Sequence, residues 1–176
     1  MASIGPRQFT THAARMAFTK GRYKMKIAIA GDSAGVVLVD VLAPYLASCE
    51  GMEVSDLSHS PTGTSEYYAS VAERVAVAVL NKEFDRGILC CGTGIGMAIS
   101  ANKVAGIRAA QTHDSYSAVR AAKSNDVQII TLGARVIGAE LAKNIVAAWL
   151  ASDFDPAGAS ADNVAAMNAL DKKFRK

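Results

Sequence analysis

DRGILCCGTGIGMAISANK, residues 85–103, sets the fold. It opens with RGILCC, an apolar run of the length of a buried strand. It then breaks at GTGIG, which no strand continues through, and resumes as GMAISANK with apolar positions at helical spacing. Strand, glycine turn and helix together form the repeating unit of a parallel sheet. The turn aims backbone N–H groups, and the positive end of the following helix, at whatever sits above it. An anion is the natural guest. A nucleotide phosphate fits poorly: no Gly-Lys-Ser/Thr follows the turn as a Walker A loop requires, and Gly92, Gly94 and Gly96 alternate without the final spacing of a dinucleotide fingerprint.

The same alternation extends in both directions. KIAIAG and MEVSDLS read as strands on the amino-terminal side, with GVVLVDVLAPYLAS between them as a helix that Pro44 kinks or restarts. HSPTGTSEY is a turn-rich, solvated stretch, and His59 within it has no partner by spacing. YYASVAERVAVAVLNK is helical. Beyond the quoted stretch come the short strand GIRAAQ, the helix SYSAVRAAKSN with Asp114 placed to cap it, and the strand VQIITLG. AELAKNIVAAWLAS and ASADNVAAMNALDKKF close the chain as helices. Trp149 and Leu150 complete an apolar face of core or interface, and Val164, Met167 and Leu170 give the last helix a modest stripe that suits either its own domain or a partner. The expectation is a three-layer α/β/α, Rossmann-like domain with a parallel sheet of about five strands and ligands at the strands' carboxyl ends.

Composition narrows the function classes. The chain has 176 residues, enough for one well-buried domain. Residues 1–24 carry Arg7, Arg15, Lys20, Arg22 and Lys24 and no acid, and read as a tag, a mis-started extension or a targeting segment. Removing these five from 19 Lys+Arg leaves 14 against 16 Asp+Glu in residues 25–176, the expected single domain. That balance argues against a domain-wide nucleic-acid footprint. No apolar run approaches a membrane span. Three cysteines, two of them adjacent, give neither a disulfide framework nor a zinc pattern and suit a reducing, cytoplasmic setting.

Cys90 and Cys91 are neighbours on a strand, so their thiols point to opposite faces. One belongs to the core, and Cys91, last before Gly92, is the one expected to be exposed to the site. Small apolar filling is the plain alternative for it.

Three segments, KIAIAGDSAG, DRGILCCGTGIGMAISANKVAGIRAA and GARVIGAELAK, resemble the ribose-5-phosphate isomerase B family, which includes galactose-6-phosphate isomerase subunits. The resemblance implies an aldose–ketose isomerase of sugar phosphates that works through a cis-enediolate without metal or organic cofactor. It implies Cys91 as the base and Thr93 as its assistant. Cysteine accepts a proton only as thiolate, the form that a helix amino end supports. The amides from Gly92 through Gly94 and Ile95 to Gly96 would hold the oxyanion. Asp32 and Tyr68 match family residues along the sugar, and Asn102 and Asn125 match asparagines near it. Arg108 and Arg135 match retained arginines, with structural and binding roles equally open.

The departures from the family carry information. Ser33 and Ser124 stand where the family has histidines, the second of them the ring opener, and Ala159 and Asn163 replace two phosphate-binding arginines. Both serines are retained as substrate-facing candidates. His113 is the candidate replacement acid/base, and Arg120, Lys123 and Arg135 are the candidate phosphate-binding cations, with the forked arginines favoured. GDSAG, THDSYSAVRAAKSN and SADNV resemble isomerases acting on erythrulose 4-phosphate, whose acyclic chain needs no ring opener. The resemblance further implies a homodimer or dimer of dimers with each site completed by its neighbour. Two other classes remain: a non-catalytic phosphosugar-binding or assembly subunit, and, more remotely, a nucleotide-binding oxidoreductase.

Overall fold

The computed structural model describes residues 24–174, so the readings of the basic head lie outside the described residues. Five strands form one parallel sheet: β1 (Met25–Gly31), β2 (Met52–Asp56), β3 (Arg86–Cys91), β4 (Ala109–Gln111) and β5 (Ile129–Gly133). Six helices connect and follow them: α1 (Val36–Ala47), α2 (Tyr68–Leu80), α3 (Ile95–Ala101), α4 (Ser115–Asn125), α5 (Ala139–Leu150) and α6 (Ala161–Phe174). The spatial order is β2-β1-β3-β5-β4. The chain therefore leaves β1 in one direction and β3 in the other, which opens a crevice above their carboxyl ends. Gly31 pairs with Cys90 and Cys91 with Gly133, so the first glycine turn, the cysteine loop and the end of β5 lie side by side.

Successive residues of the central strands feed two cores. Ile27, Ile29, Ile88, Cys90, Ile130 and Leu132 face α1, α4 and α5. Ala28, Ala30, Leu89, Cys91 and Ile129 face α2 and α3. The small alanines on the second face let α2 sit close over β1. Trp149 and Leu150 are buried in the first core, which decides between core and interface for them. α1 runs unbroken through Pro44, because both the proline and Asp40, whose carbonyl loses its helical donor, face solvent. β4 is shorter than GIRAAQ suggests, and Asp114 caps α4 as expected, accepting from Ser117 N–H at 2.7 Å. α6 lies against α4, with Val164 buried, Met167 half-buried and Leu170 exposed.

Two glycines set the close approaches. A Cβ on Gly35 would lie 1.9 Å from the Cys90 carbonyl oxygen, so only glycine lets the turn after β1 rest on β3. Gly94 has φ +82°, the left-handed conformation that starts α3 immediately after the loop.

Candidate active site

The loop from Cys91 to Gly94 is built so that its carbonyls turn away from the crevice. Cys91 O accepts from Ala134 N–H at 2.8 Å and Gly92 O from Arg135 N–H at 3.0 Å. Thr93 O accepts from the Gln111 side chain at 2.6 Å, and Gly94 O from the Thr131 hydroxyl at 2.8 Å. All four acceptors are thus bound from the β4 and β5 side, and the loop offers its guest donors. Gln111 and Thr131 carry no motif, and their bracing role follows only from the pairing of β4 with β5.

The four amides that open α3 have no helical acceptor. Gly94 N–H donates to Cys91 Sγ at 3.0 Å, and Ile95 N–H reaches Thr93 Oγ1 at 3.4 Å. Gly96, half-buried, remains for a ligand, whereas Met97 is fully buried beneath it. The expected amide array from Gly92 to Gly96 is therefore narrower, because two of its members serve the loop's own side chains.

Cys91 itself is buried, 6% exposed, where exposure was expected. Met97 and Ala101 of α3 share its apolar cluster, because the helix folds back over the strand end. Its sulfur nevertheless points at the loop amides, and Cys90, fully buried on the opposite face, has its thiol pushed well up by burial. Only Cys91 has access to the chemistry of the loop.

Beside this loop lies a cleft of about 500 Å³ between the turn after β1 and the segment joining β2 to α2. Asp32, Ser33 and Tyr68 line it, as expected for sugar-facing residues. Asp32 Oδ1 accepts from Ala34 and Gly35 N–H at 3.0 and 2.9 Å, so this oxygen shapes the turn. The Tyr68 ring roofs the loop: a Cβ on Gly96 would fall 2.8 Å from its Cε2. Ser58, His59 and Glu66 also line the cleft. His59 is an exposed loop residue, as expected, and the folding of residues 57–67 over β1 brings it to the cleft's edge.

A family model described as Ribose/Galactose Isomerase matches residues 27–167. The chain belongs to the ribose/galactose isomerase family. It is 53% identical to D-erythrulose-4-phosphate isomerase of Pectobacterium atrosepticum over 77% of this chain and 89% of that protein. It is 51% identical to Ribose-5-P isomerase B of Listeria innocua over 86% of this chain and the whole of that protein. The solved structure of ribose-5-phosphate isomerase B from Clostridium thermocellum matches with TM-score 0.78 and 41% identity, over 85% of this chain and 99% of that one.

Several residues expected at the isomerase site are employed otherwise. Asn102 binds the backbone of the edge strand β4, its amide donating to Ala109 O at 2.7 Å and accepting from Ala109 N–H at 2.9 Å, with a further bond to Ala98 O. Its polar atoms hold the end of α3 to the sheet and are not open to substrate. Arg108 is likewise structural, binding the Asn125 and Asp126 carbonyls, the Asp126 carboxylate and Asn168. His113 lies at the end of β4, and its Nε2 accepts from Gly133 N–H at 3.0 Å, which fixes the neutral ring with its proton on Nδ1. Burial lowers its pKa, with Asp114 opposing. The ring closes the β4–β5 ladder, and its Nε2 cannot take a proton while that bond stands.

Ser124 and Asn125 follow α4 down to the amino ends of the strands, where Asn125 O meets Arg108. The length of β5, roughly 13 Å, separates them from the Cys91 loop within one chain. Lys123 belongs to the same exposed helix end. Arg120 donates to the Ser124 hydroxyl and lines a different cavity, along β4 and α6. Arg135 alone of the candidate cations lies on the loop, its side chain 3.6 Å from where a Cβ on Gly92 would stand.

Proposed function

We propose that this chain is a cofactor-independent aldose–ketose isomerase that interconverts erythrulose 4-phosphate and erythrose 4-phosphate through a cis-enediolate. The observation that carries the reading is the polarity of residues 91–96: four carbonyls bound by the protein, one sulfur beneath, and the half-buried Gly96 amide turned to the crevice side. Such a loop steadies negative charge on oxygen without reorganising.

The chemistry needs one base and one proton returned. Cys91, as thiolate, takes the proton from C1 of the ketose phosphate. The C–H pair becomes the C1–C2 double bond, and the C2 carbonyl pair moves onto its oxygen, which the Gly96 amide holds. A proton passes between the two oxygens, and the Cys91 thiol returns its proton to C2, giving the aldose. Gly94 N–H fixes the direction of the sulfur throughout. Thr93 and Tyr68 bound the reacting end, Asp32 and Ser33 receive hydroxyls, and Arg135 places positive charge beside the loop.

The two relatives above are each more than 50% identical to this chain over the residues aligned yet carry different substrate names, so identity does not select the substrate. The tetrose is favoured because Ser33 and Ser124 offer no imidazole and His113 has its acceptor nitrogen occupied. An acyclic substrate needs no ring opener. Ser124 and Asn125 reach a Cys91 loop only from a second copy, so the reading includes a homodimer or paired dimers, in the cytoplasm. A fully active monomer would remove that part.

Two measurements test the proposal. Cys91→Ala should lower kcat by about a hundredfold to ten-thousandfold while the circular dichroism spectrum is kept. Retained turnover removes the base. Comparison of kcat/KM on ribose 5-phosphate and on D- and L-erythrulose 4-phosphates decides chain length, and a strong pentose preference defeats the tetrose assignment.

A further inference from the structure

The candidate cations on α4 do not face the crevice, and Arg135 stands beside Gly92 at the reacting end of the site and does not line the cleft, which leaves the far, phosphate end of the substrate unassigned. The cleft beside the loop is rich in hydroxyls: Ser33, Ser58, Ser60, Thr64, Ser65 and Tyr68 line it. Hydroxyls and amides bind a phosphomonoester well, but its charge needs a cation. Neither lysine nor arginine is among the described residues that line this cleft, and His59 is its sole side chain able to carry positive charge.

We propose that His59 binds the substrate's phosphate group, acting with the hydroxyls of Ser60 and Thr64, so that the segment joining β2 to α2 is the phosphate-binding element of this isomerase. The assignment rests on the sugar-phosphate reading above.

Three features support the geometry. First, the segment is anchored at both ends by one residue of α2. Arg74 donates to Leu57 O at 3.0 and 2.9 Å and grips Glu66 at 2.7 and 2.9 Å. This also neutralises Glu66, an acid that would otherwise repel an anion. Arg74 is committed to that work and is not itself the clamp. Second, Ser58 accepts from Gly31 N–H at 3.0 Å, which seats the residue next to His59 on the end of β1. The Ser60, Thr62 and Thr64 hydroxyls form a bonded chain at 2.8 and 2.9 Å, and an arriving phosphate oxygen can draw donors from it. Third, β2 stands two strands from β3 in the sheet. That separation is about 10 Å, a distance that an extended four- or five-carbon phosphate with its carbonyl end at Cys91 can span.

The test uses the full chain with His59→Gln and His59→Arg, each checked for an unchanged melting curve. Inorganic phosphate binding is measured by titration calorimetry, and KM and kcat are measured with D-erythrulose 4-phosphate. For His59→Gln the expected result is phosphate binding weakened, and KM raised, by about tenfold to hundredfold, the scale of one hydrogen bond to a charged group. The same variant should hold kcat within about twofold, since uniform binding is what is lost. His59→Arg should restore both binding and KM. Wild-type phosphate affinity in His59→Gln overturns the assignment, as does a fall in kcat at unchanged KM, which would give His59 a role in proton transfer. If the wild-type chain isomerises no sugar phosphate, the functional reading fails, and the phosphate titration still decides His59 on its own.

Discussion

Replacing Thr131 by valine keeps the volume of a fully buried β5 residue and removes one hydroxyl, the donor to Gly94 O at 2.8 Å. Gly94 O also accepts from Ala98 N–H at 3.0 Å, so the carbonyl is not orphaned. The stability cost is therefore that of a single net hydrogen bond, about 1 kcal/mol. For a domain of this size that lowers Tm by about 2–4 °C. Activity should fall further. Gly94 bears the braced carbonyl on one side of its Cα and, on the other, the N–H that aims Cys91 Sγ, so letting the residue shift displaces base and oxyanion donors together. The expected loss in kcat is about tenfold, equivalent to ~1.4 kcal/mol of barrier. Thr131→Ser, which keeps the donor, should recover most of it. The assay pairs thermal melts with initial rates on erythrulose 4-phosphate. A valine variant with wild-type kcat would refute the claim that turning the loop's carbonyls away is what makes it an oxyanion site.

Three further outcomes are expected. Gly35→Ala puts a methyl 1.9 Å from Cys90 O, a backbone atom, and should cost at least about 3 kcal/mol in urea unfolding. His113 has its pKa lowered by burial, so the unfolded chain binds more protons than the folded one and stability drops as pH falls below about 6.5. His113→Gln, which still accepts from Gly133 N–H, should show a smaller Tm decline between pH 7.5 and 5 than the wild type. Arg86 donates to Trp149 O and Ser152 O, each at 2.7 Å, and lies 4.9 Å from the Trp149 ring centre. Arg86→Met should cost about 3 kcal/mol by the same unfolding measurement, because two carbonyls at the end of α5 lose a charged donor.

The layers were legible because short apolar runs and amphipathic ones alternate from Met25 to Phe174, and the Cys91 loop was legible because glycine clusters punctuate sharply. What the chain order hid is where each helix ends. Ser124 and Asn125 read as site residues by resemblance, yet α4 carries them to the amino side of the sheet. The tether of His113 to Gly133 spans twenty residues and depends on β4 stopping early, which no local pattern encodes. The place of His59 at the cleft is hidden for the complementary reason. A turn-rich stretch reveals nothing of what it folds across, and Arg74, which fixes this one, lies well inside the next element.

Asn102 does more than hold α3 to β4. Its carboxamide has the same donor and acceptor as a peptide group, and it meets the outward N–H and C=O of Ala109 as a neighbouring strand would. The margin of the sheet is thus sealed at that point from within. A foreign chain seeking to lengthen it finds the first berth taken by a group that cannot diffuse away, so the enzyme guards itself there against stacking edge on edge.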